Sequence, residues 1–240
     1  MSDKLEGSNP VLEALKAGRS INKILISRDV GRHSVLGQII NLARQKGVVV
    51  ESVDRAVLDR ESETRRHQGV LAYISAHKYY ELEDILEKSD VPLLVLLDGV
   101  EDPHNLGAVL RSADVFGVDA VVIQKRRAAQ LTPTVARTSA GAIEYVPVCR
   151  ESSIIATIEK LKKHHVWVAG VEVGSDKQYY EADFKLPTAL VLGGEDKGLS
   201  EAVRKHCDYT VSIPMKGKIN SLNISVAAAI VMCEAARQRG

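Results

Sequence analysis

Apolar and polar positions along this chain repeat with two different periods, and the switches between them predict alternating helices and strands. In the first third, helical spacing predicts two helices and short β-branched runs predict three strands. In chain order these elements are Val11–Ala17, Lys23–Ser27, Val35–Gln45, Val48–Val53 and Val70–Ile74. Together they predict a small α/β domain over residues 1–76.

The stretch that follows has a different character. It is charged, carries tyrosines, shows a weak helical pattern only at Leu82–Leu86 and ends at Pro92. We interpret residues 77–91 as a linker. A second domain is then predicted over residues 92–240.

In the second domain predicted strands and helices alternate again, and here the strands are nearly unbroken runs of apolar residues. The predicted strands are Leu93–Leu97, Ala120–Ile123, Tyr145–Val148, Val166–Val171, Leu190–Gly193 and Tyr209–Ile213. The predicted helices are Asn105–Phe116, Ser153–His164 and Ser221–Arg237. Such strands are typical of a parallel sheet covered on both faces. The last helix is apolar almost all round, so we expect it to be buried in a core or in a subunit interface.

Composition narrows the class of protein. The 240 residues are 45% hydrophobic and 26% charged, with a net charge of +1, as in globular proteins. Basic residues nevertheless cluster at Arg65-Arg66 and at Arg126-Arg127, which are candidate nucleic-acid-binding residues or simply solvated faces.

The cysteines, apolar runs and histidines of the sequence bear on localisation and metal binding. Three cysteines without metal-type spacing favour a reducing cytoplasm, and the apolar runs are too short to span a membrane. The seven histidines form no metal-binding array, so no metal is expected.

Three polar junctions each follow a predicted strand and each precede a helix. The first runs from Asp102 through Asn105 to Arg111, the second from Gly193 to Ser200, and the third from Ile213 to Asn223. Open α/β sheets place ligands at the carboxyl ends of their strands. We therefore expect one site at which the three junctions meet.

Each junction also has an ordinary structural interpretation. Asn105 and Asn223 could simply cap helices, and Arg111 could be a surface residue. The glycines of the second junction could form a tight turn, although they match neither a Walker loop nor a dinucleotide fingerprint. Glu195 beside them would repel phosphate, which favours a ligand with a cationic centre such as the sulfonium of S-adenosylmethionine.

Motif for motif and in order, the three junctions resemble the SPOUT-superfamily RNA ribose 2′-O-methyltransferases of the SpoU or TrmH type. The resemblance covers residues from about Pro92 to the end, and the first domain, with His67-Gln68-Gly69, resembles the L30e-like substrate-binding domain of these enzymes. It implies an α/β fold whose parallel sheet ends in a deep trefoil knot, and a homodimer in which both subunits complete each active site.

The same resemblance assigns roles to individual residues. The implied catalytic residues are Asn105, Arg111, Glu195, Ser221 and Asn223. The implied cofactor-binding residues are Gly193, Gly194, Ile213, Met215, Leu222 and Asn223, with S-adenosylmethionine as the cofactor. Arginine stays charged and donates a planar pair of hydrogen bonds, so Arg111 is expected to hold a phosphate rather than to act as a base.

The implied activity is that of a methyltransferase that transfers a methyl group to a ribose 2′-hydroxyl of RNA. Within the family, the chain most resembles bacterial enzymes of the RlmB type, which modify a guanosine of 23S ribosomal RNA during rRNA processing. Methylation of transfer RNA is the first alternative. A non-catalytic RNA-binding or ribosome-assembly factor on the same fold is the second.

Overall fold

The computed structural model describes residues 4–30, 34–75, 77–194, 198–219 and 221–240. The chain forms two compact units. The first extends to Lys78 and includes Gln130–Pro133, and the second comprises Tyr79–Ala129 and Thr134–Gly240.

The first unit is a four-stranded mixed sheet with helices on its faces. Its elements are β1 (Lys4–Glu6), α1 (Ser8–Lys16), β2 (Ile21–Ser27), α2 (Ser34–Gln45), β3 (Val49–Val53), α3 (Arg55–Glu61) and β4 (Val70–Ile74). The strand order is β1-β4-β2-β3, with β2 and β3 parallel and β4 antiparallel to both of its neighbours. Helices α1 and α2 pack on one face in the main core, and Leu58 of α3 packs against Leu25 and Leu71 on the other.

All five elements predicted for the first third are present, and two further elements were not predicted. Strand β1 is only three residues long, which is too short for a period to be recognised. Helix α3 buries only Leu58, and its apolar residues Ala56, Val57 and Leu58 are consecutive, so it lacks an apolar stripe with helical spacing.

The second unit is built around a six-stranded sheet. From Leu82 onward the elements are α4 (Leu82–Leu86), β5 (Leu93–Asp98), α5 (Pro103–Val115), β6 (Ala120–Gln124), α6 (Pro133–Thr138), β7 (Val148–Glu151), α7 (Ile154–Lys163), β8 (Trp167–Val171), β9 (Thr188–Gly193), α8 (Glu201–His206), β10 (Tyr209–Val211) and α9 (Ile224–Arg239). Short 3₁₀ helices lie at Ala142–Glu144 and Tyr179–Glu181.

All strands of this sheet are parallel, in the order β10-β8-β9-β5-β6-β7. Residues Leu93–Leu97 of β5 are completely buried, which explains their unbroken apolar sequence. One core cluster joins α4, α7 and α8 to the sheet, and α5 packs against α9. The predicted α/β class with a parallel sheet is confirmed.

The segment predicted as a linker differs from that expectation. Tyr80 pairs with Cys149 beside β7, and Leu82 and Ile85 of α4 are buried in the core of the second unit. Residues 79–91 therefore fold with the second unit, because their few apolar residues are spaced to fit one face of a short helix.

Two predicted boundaries were also wrong. The strand predicted at Tyr145–Val148 begins only at Val148, because a 3₁₀ helix precedes it and Tyr145 is exposed. The last helix begins at Ile224 rather than Ser221, because the side chain of Asn223 accepts a hydrogen bond from the backbone of Ser225 and caps it. Within the described ranges, no helix combines the length and apolarity needed to cross a bilayer.

Candidate active site at the carboxyl edge of the parallel sheet

The three polar junctions lie on the same side of the sheet, at the carboxyl ends of its strands, because every strand runs in the same direction. The first follows β5 and the second follows β9, which are adjacent, with Asp98 opposite Gly193. The third follows β10, which is separated from β9 by β8. The first two junctions therefore leave adjacent strands, and the third leaves a strand that lies two positions from β9.

A first cavity of about 390 Å³ opens at the ends of β8, β9 and β10. Its size is within the range of small-molecule sites. Five of the six residues predicted to bind the cofactor line it, together with the predicted catalytic Ser221; the five are Gly193, Gly194, Ile213, Met215 and Leu222. Its other walls are mainly apolar, with Val171, Leu192, Ile224 and Ala227 among them.

Close backbone packing requires glycine at position 193, in the second junction. A Cβ on Gly193 would lie 2.0 Å from the carbonyl carbon and oxygen of Gly198 and 2.3 Å from the nitrogen of Leu199. The Gly198 N–H donates to the Gly194 carbonyl at 3.0 Å, so the chain doubles back here. Only glycine leaves room for this arrangement on the floor of the first cavity.

A second cavity of about 670 Å³ opens beside the first, at the ends of β5 and β6. Its walls include charged and amide side chains, namely those of Asp98, Glu101, Asp102, Asn105, Gln124 and Arg127. Gly194, Gly198 and Ile224 line both cavities, so the two spaces share a boundary.

Asn105 of the second cavity is hydrogen-bonded to Asn223, which lines neither cavity and directly precedes Ile224, a residue of both. The Asn223 Nδ2 donates to the Asn105 Oδ1 at 3.0 Å, which joins the first junction to the third across 118 residues of sequence. The Asn223 Oδ1 accepts from the backbone N–H of Ser225 at 2.9 Å and from its hydroxyl at 2.6 Å. Asn223 is thus both a helix cap and a partner of Asn105.

Two other predicted catalytic residues, Arg111 and Glu195, are not observed beside Asn105 and Asn223. Arg111 lies six residues after Asn105 on α5, which is about 240° around the helix, so Asn105 is buried and Arg111 is exposed. Arg111 lines neither cavity. Glu195 lies outside the described residues.

Asp98 belongs to the site although we did not predict it from the sequence. It is partly buried in the wall of the second cavity, where the Gln124 Nε2 donates to its Oδ1 at 3.3 Å. Burial raises the pKa of Asp98, and a hydrogen bond from the Ser200 backbone opposes that rise. An acidic residue directly after a fully apolar run is the sequence signal that could have identified it.

The predicted RNA-binding arginines lie in separate units. Arg127 borders the second cavity, and Arg126 is exposed beside it. Arg65 and Arg66 are exposed in the first unit. In the described part of the chain, no group of three or more His, Cys, Asp or Glu residues is arranged to hold a metal ion.

Comparison with known families matches both parts of the chain. Residues 92–233 match the SpoU rRNA Methylase family. Residues 4–80 match the family described as RNA 2′-O ribose methyltransferase substrate binding.

Individual relatives agree with these matches. YacO of Bacillus subtilis (strain 168), assigned to the TrmH family of tRNA/rRNA methyltransferases, is 40% identical over 241 residues, covering 99% of this chain and 96% of YacO. The SpoU methyltransferase AviRb from Streptomyces viridochromogenes, solved in complex with the cofactor AdoMet, is similar with a TM-score of 0.63 and 28% identity, covering 98% of this chain and 89% of AviRb. A TrmH/SpoU tRNA modifying enzyme of A. aeolicus is similar over 66% of this chain and 80% of its own, with a TM-score of 0.58 and 28% identity.

Proposed function

This chain belongs to the SpoU/TrmH family of RNA methyltransferases, and from that premise we propose that it transfers a methyl group from S-adenosylmethionine to a ribose 2′-hydroxyl of ribosomal RNA. A guanosine of 23S rRNA, modified in the cytoplasm, is the proposed target. The observation that carries the proposal is the pair of adjoining cavities, the first lined mainly by apolar side chains and glycines and the second by carboxylates, amides and an arginine, with Asn105 of the second cavity bonded to Asn223.

The first cavity fits S-adenosylmethionine. Its apolar walls suit an adenine ring, and its glycine floor leaves backbone groups accessible to a ligand. Gly193, Gly194, Ile213, Met215 and Leu222 are the residues that would hold the cofactor there. When bound, S-adenosylmethionine supplies an electrophilic methyl group on a sulfonium.

The polar residues beside the cavities would orient the ribose. Asn105 is buried and Asn223 is fixed as a helix cap, so both amides are held before substrate binds. Ser221, at the rim of the first cavity, adds a hydroxyl. Holding a 2′-hydroxyl in line with a methyl group removes an entropic barrier that can reach about 7–11 kcal/mol in favourable intramolecular cases. Glu195 is proposed to organise the site or to assist removal of the hydroxyl proton.

Arg111 is proposed to act across a homodimer. It projects from α5 on an exposed face that also carries Val115, and Val226 and Cys233 are exposed on α9, which packs against α5. Such an apolar surface supports a subunit interface. In that dimer Arg111 would hold the target phosphate in the site of the partner subunit. The proposal also includes the deep trefoil knot expected for the second unit.

Mixing variants tests this arrangement directly. Arg111→Ala and Asn105→Ala should each lower the rate of methyl transfer alone, and mixed dimers should transfer methyl groups faster than either variant if the two residues serve one site from different subunits. Failure of the mixture to transfer faster than either variant, after subunit exchange has been verified, would place both residues in the same subunit's site.

RNA would be held by cations of both units. Arg126 and Arg127 lie at the second cavity or beside it, and Arg65 and Arg66 lie in the unit that matches a substrate-binding family. Each phosphate neutralised should contribute roughly 0.7–0.9 to the slope of log affinity against log salt.

Transfer RNA is the second candidate substrate. The similarity to the A. aeolicus tRNA modifying enzyme favours it, although that similarity covers only 66% of this chain. The presence of a separate substrate-binding unit favours a larger RNA for the whole chain.

One experiment separates these possibilities. Tritiated methyl transfer from S-adenosylmethionine is measured on rRNA and tRNA fractions from cells lacking the gene, and the methylated ribose is then mapped. Label in 23S rRNA at a guanosine supports the proposal, and label confined to tRNA supports the second candidate. Absence of transfer, combined with calorimetry that detects no cofactor binding, would refute both.

A further inference from the structure

One carboxylate in the first unit is surrounded by donors from a single loop. Both oxygens of Glu6 accept hydrogen bonds from residues 62–64. Ser62 donates through its hydroxyl at 2.8 Å, and Glu63 donates through its backbone N–H at 2.6 Å. Thr64 donates through its N–H at 3.3 Å and also through its hydroxyl. Burial by itself would raise the pKa of Glu6, but these hydrogen bonds outweigh it and lower the pKa to about 2.

The same two hydroxyls extend this anchoring to the arginine pair. The backbone N–H of Arg65 donates to the Ser62 Oγ at 2.7 Å, and that of Arg66 donates to the Thr64 Oγ1 at 3.2 Å. Arg65 has a φ of 58°, in the left-handed region that is unfavourable for a residue other than glycine. Backbone in such a conformation persists only where its surroundings hold it.

A second anchor follows immediately after the arginines. The Gly69 N–H donates to the Nδ1 of buried His67 at 3.1 Å, so the ring proton is on Nε2, which donates to Asp59 at 2.9 Å. Gly69 itself has a φ of 81°, and a Cβ there would lie 2.0 Å from the Val30 Cγ2. The backbone of Arg65 and Arg66 is therefore fixed on both sides.

In contrast to their backbone, the side chains of Arg65 and Arg66 are not held by the loop. Both arginines are exposed, and among the described residues neither guanidinium has a hydrogen bond or an ion pair. The fold thus fixes the backbone of two adjacent cations and leaves the cations available. The donors of the loop occupy both oxygens of Glu6, so the carboxylate is directed at the loop and, in the described part of the chain, makes no ion pair with either arginine.

We propose that Glu6 is a positioning residue for RNA binding, and that it holds the loop Ser62–Arg66 so that Arg65 and Arg66 face the phosphates of the substrate. The inference rests on the proposed function, because that function supplies RNA as the partner. A loop that is ordered before binding loses less conformational entropy when the complex forms. Guanidinium groups then donate paired, charge-assisted hydrogen bonds to phosphate oxygens.

Salt dependence distinguishes a positioning residue from one that touches the RNA. Glu6→Gln should weaken binding of purified 23S rRNA fragments roughly three- to tenfold, because an amide NH₂ replaces one acceptor while both arginines remain. The slope of log affinity against log salt should stay that of the wild type. Arg65→Ser with Arg66→Ser should instead weaken binding and flatten the slope by roughly 0.7–0.9 for each phosphate that is no longer neutralised.

Two further variants complete the experiment. Glu13→Gln is the matched control, since Glu13 lies in the same unit and makes an exposed ion pair with Lys16; it should leave RNA affinity unchanged. Thr64→Val removes the hydroxyl between Glu6 and the backbone of Arg66 without changing charge, and it should reproduce the effect of Glu6→Gln. This second variant keeps the test valid if Glu6→Gln does not fold.

The possible outcomes separate the inference from the proposed function. If the wild type methylates RNA and the folded Glu6→Gln and Thr64→Val variants bind it as tightly as the wild type, the inference alone is overturned. A flattened salt slope in Glu6→Gln would also overturn it, because the variant would then neutralise fewer phosphates than the wild type. If the wild type neither binds nor methylates RNA, the proposed function fails with it.

Discussion

The two cavities at the carboxyl ends of the parallel strands share a boundary but differ in the side chains that line them. The first is lined mainly by apolar side chains and glycines, and its polar side chains are Glu172 and Ser221. The second is lined by carboxylates, amides and an arginine. Backbone and apolar walls recognise a ligand by its shape, whereas polar side chains recognise hydrogen-bonding groups and can orient a reacting atom. We therefore expect substitutions in the first cavity to affect cofactor affinity and substitutions around the second to affect RNA and catalysis.

The largest expected effect lies in the first cavity. Gly193→Ala would force a Cβ against the backbone of Gly198, which cannot escape by a change of rotamer. Cofactor affinity measured by calorimetry should fall by about a hundredfold, in line with the cost of overpacking. Gly217→Ala is the control, since its Cβ would meet only the Ile219 nitrogen at 3.9 Å. Normal cofactor affinity in Gly193→Ala would mean that the cofactor does not bind over this turn.

Arg111→Lys is expected to have the next largest effect, on methyl transfer alone. Lysine keeps the charge but not the planar pair of donors, so transfer should fall roughly thirtyfold if Arg111 holds a phosphate in bidentate fashion. Cofactor affinity should not change, because Arg111 does not line the first cavity. Activity equal to that of the wild type in the lysine variant would refute the bidentate role.

The two hydrogen-bonded asparagines should show a smaller and coupled effect. Asn105→Ala and Asn223→Ala should each lower kcat/KM roughly tenfold. The double variant should cost less than the product of the two, because both single changes break the same hydrogen bond. Asn41→Ala, on the exposed side of α2, is the control. Independent effects in the double-mutant cycle would show that the hydrogen bond does not contribute to catalysis.

The sequence predicts those features of the fold that depend on local patterns, and it does not predict which distant parts of the chain meet. Strand β5 could be predicted because a parallel strand buried on both faces is apolar throughout. The strand order could not, since nothing in the local sequence of β10 indicates that β8 lies between it and β9. The meeting of Asn105 with Asn223 likewise joins distant parts of the chain, for which the polar junctions indicated only a shared edge.

Errors in local structure have equally specific causes. Tyr145 and Val146 have high strand propensity, but Pro147 carries no N–H for a ladder, and the strand forms only after it. Ser221 and Asn223 both suit a helix cap, and the hydrogen bond from the Ser225 backbone to the Asn223 side chain decides between them. That choice leaves Ser221 and Leu222 in the loop, where they line the first cavity.

The smallest expected effect concerns Asp98 in the wall of the second cavity, because burial raises the pKa of this carboxylate. Because the folded-state pKa of Asp98 lies above its ordinary value, the folded protein binds this proton more tightly than the unfolded chain, and stability decreases as pH rises through that interval. Asp98→Asn should therefore raise Tm at pH 7, and the difference should disappear below about pH 4.

Methyl transfer by Asp98→Asn at pH 7 should nevertheless fall roughly threefold if the carboxylate accepts a hydrogen bond from the RNA. Asp119→Asn is the matched control at the other end of β5, where Asp119 accepts from the Leu93 backbone. A variant with higher Tm and undiminished methyl transfer would show that Asp98 does not contact the substrate. The difference in function between the two cavities would then depend on Asn105 and Arg127.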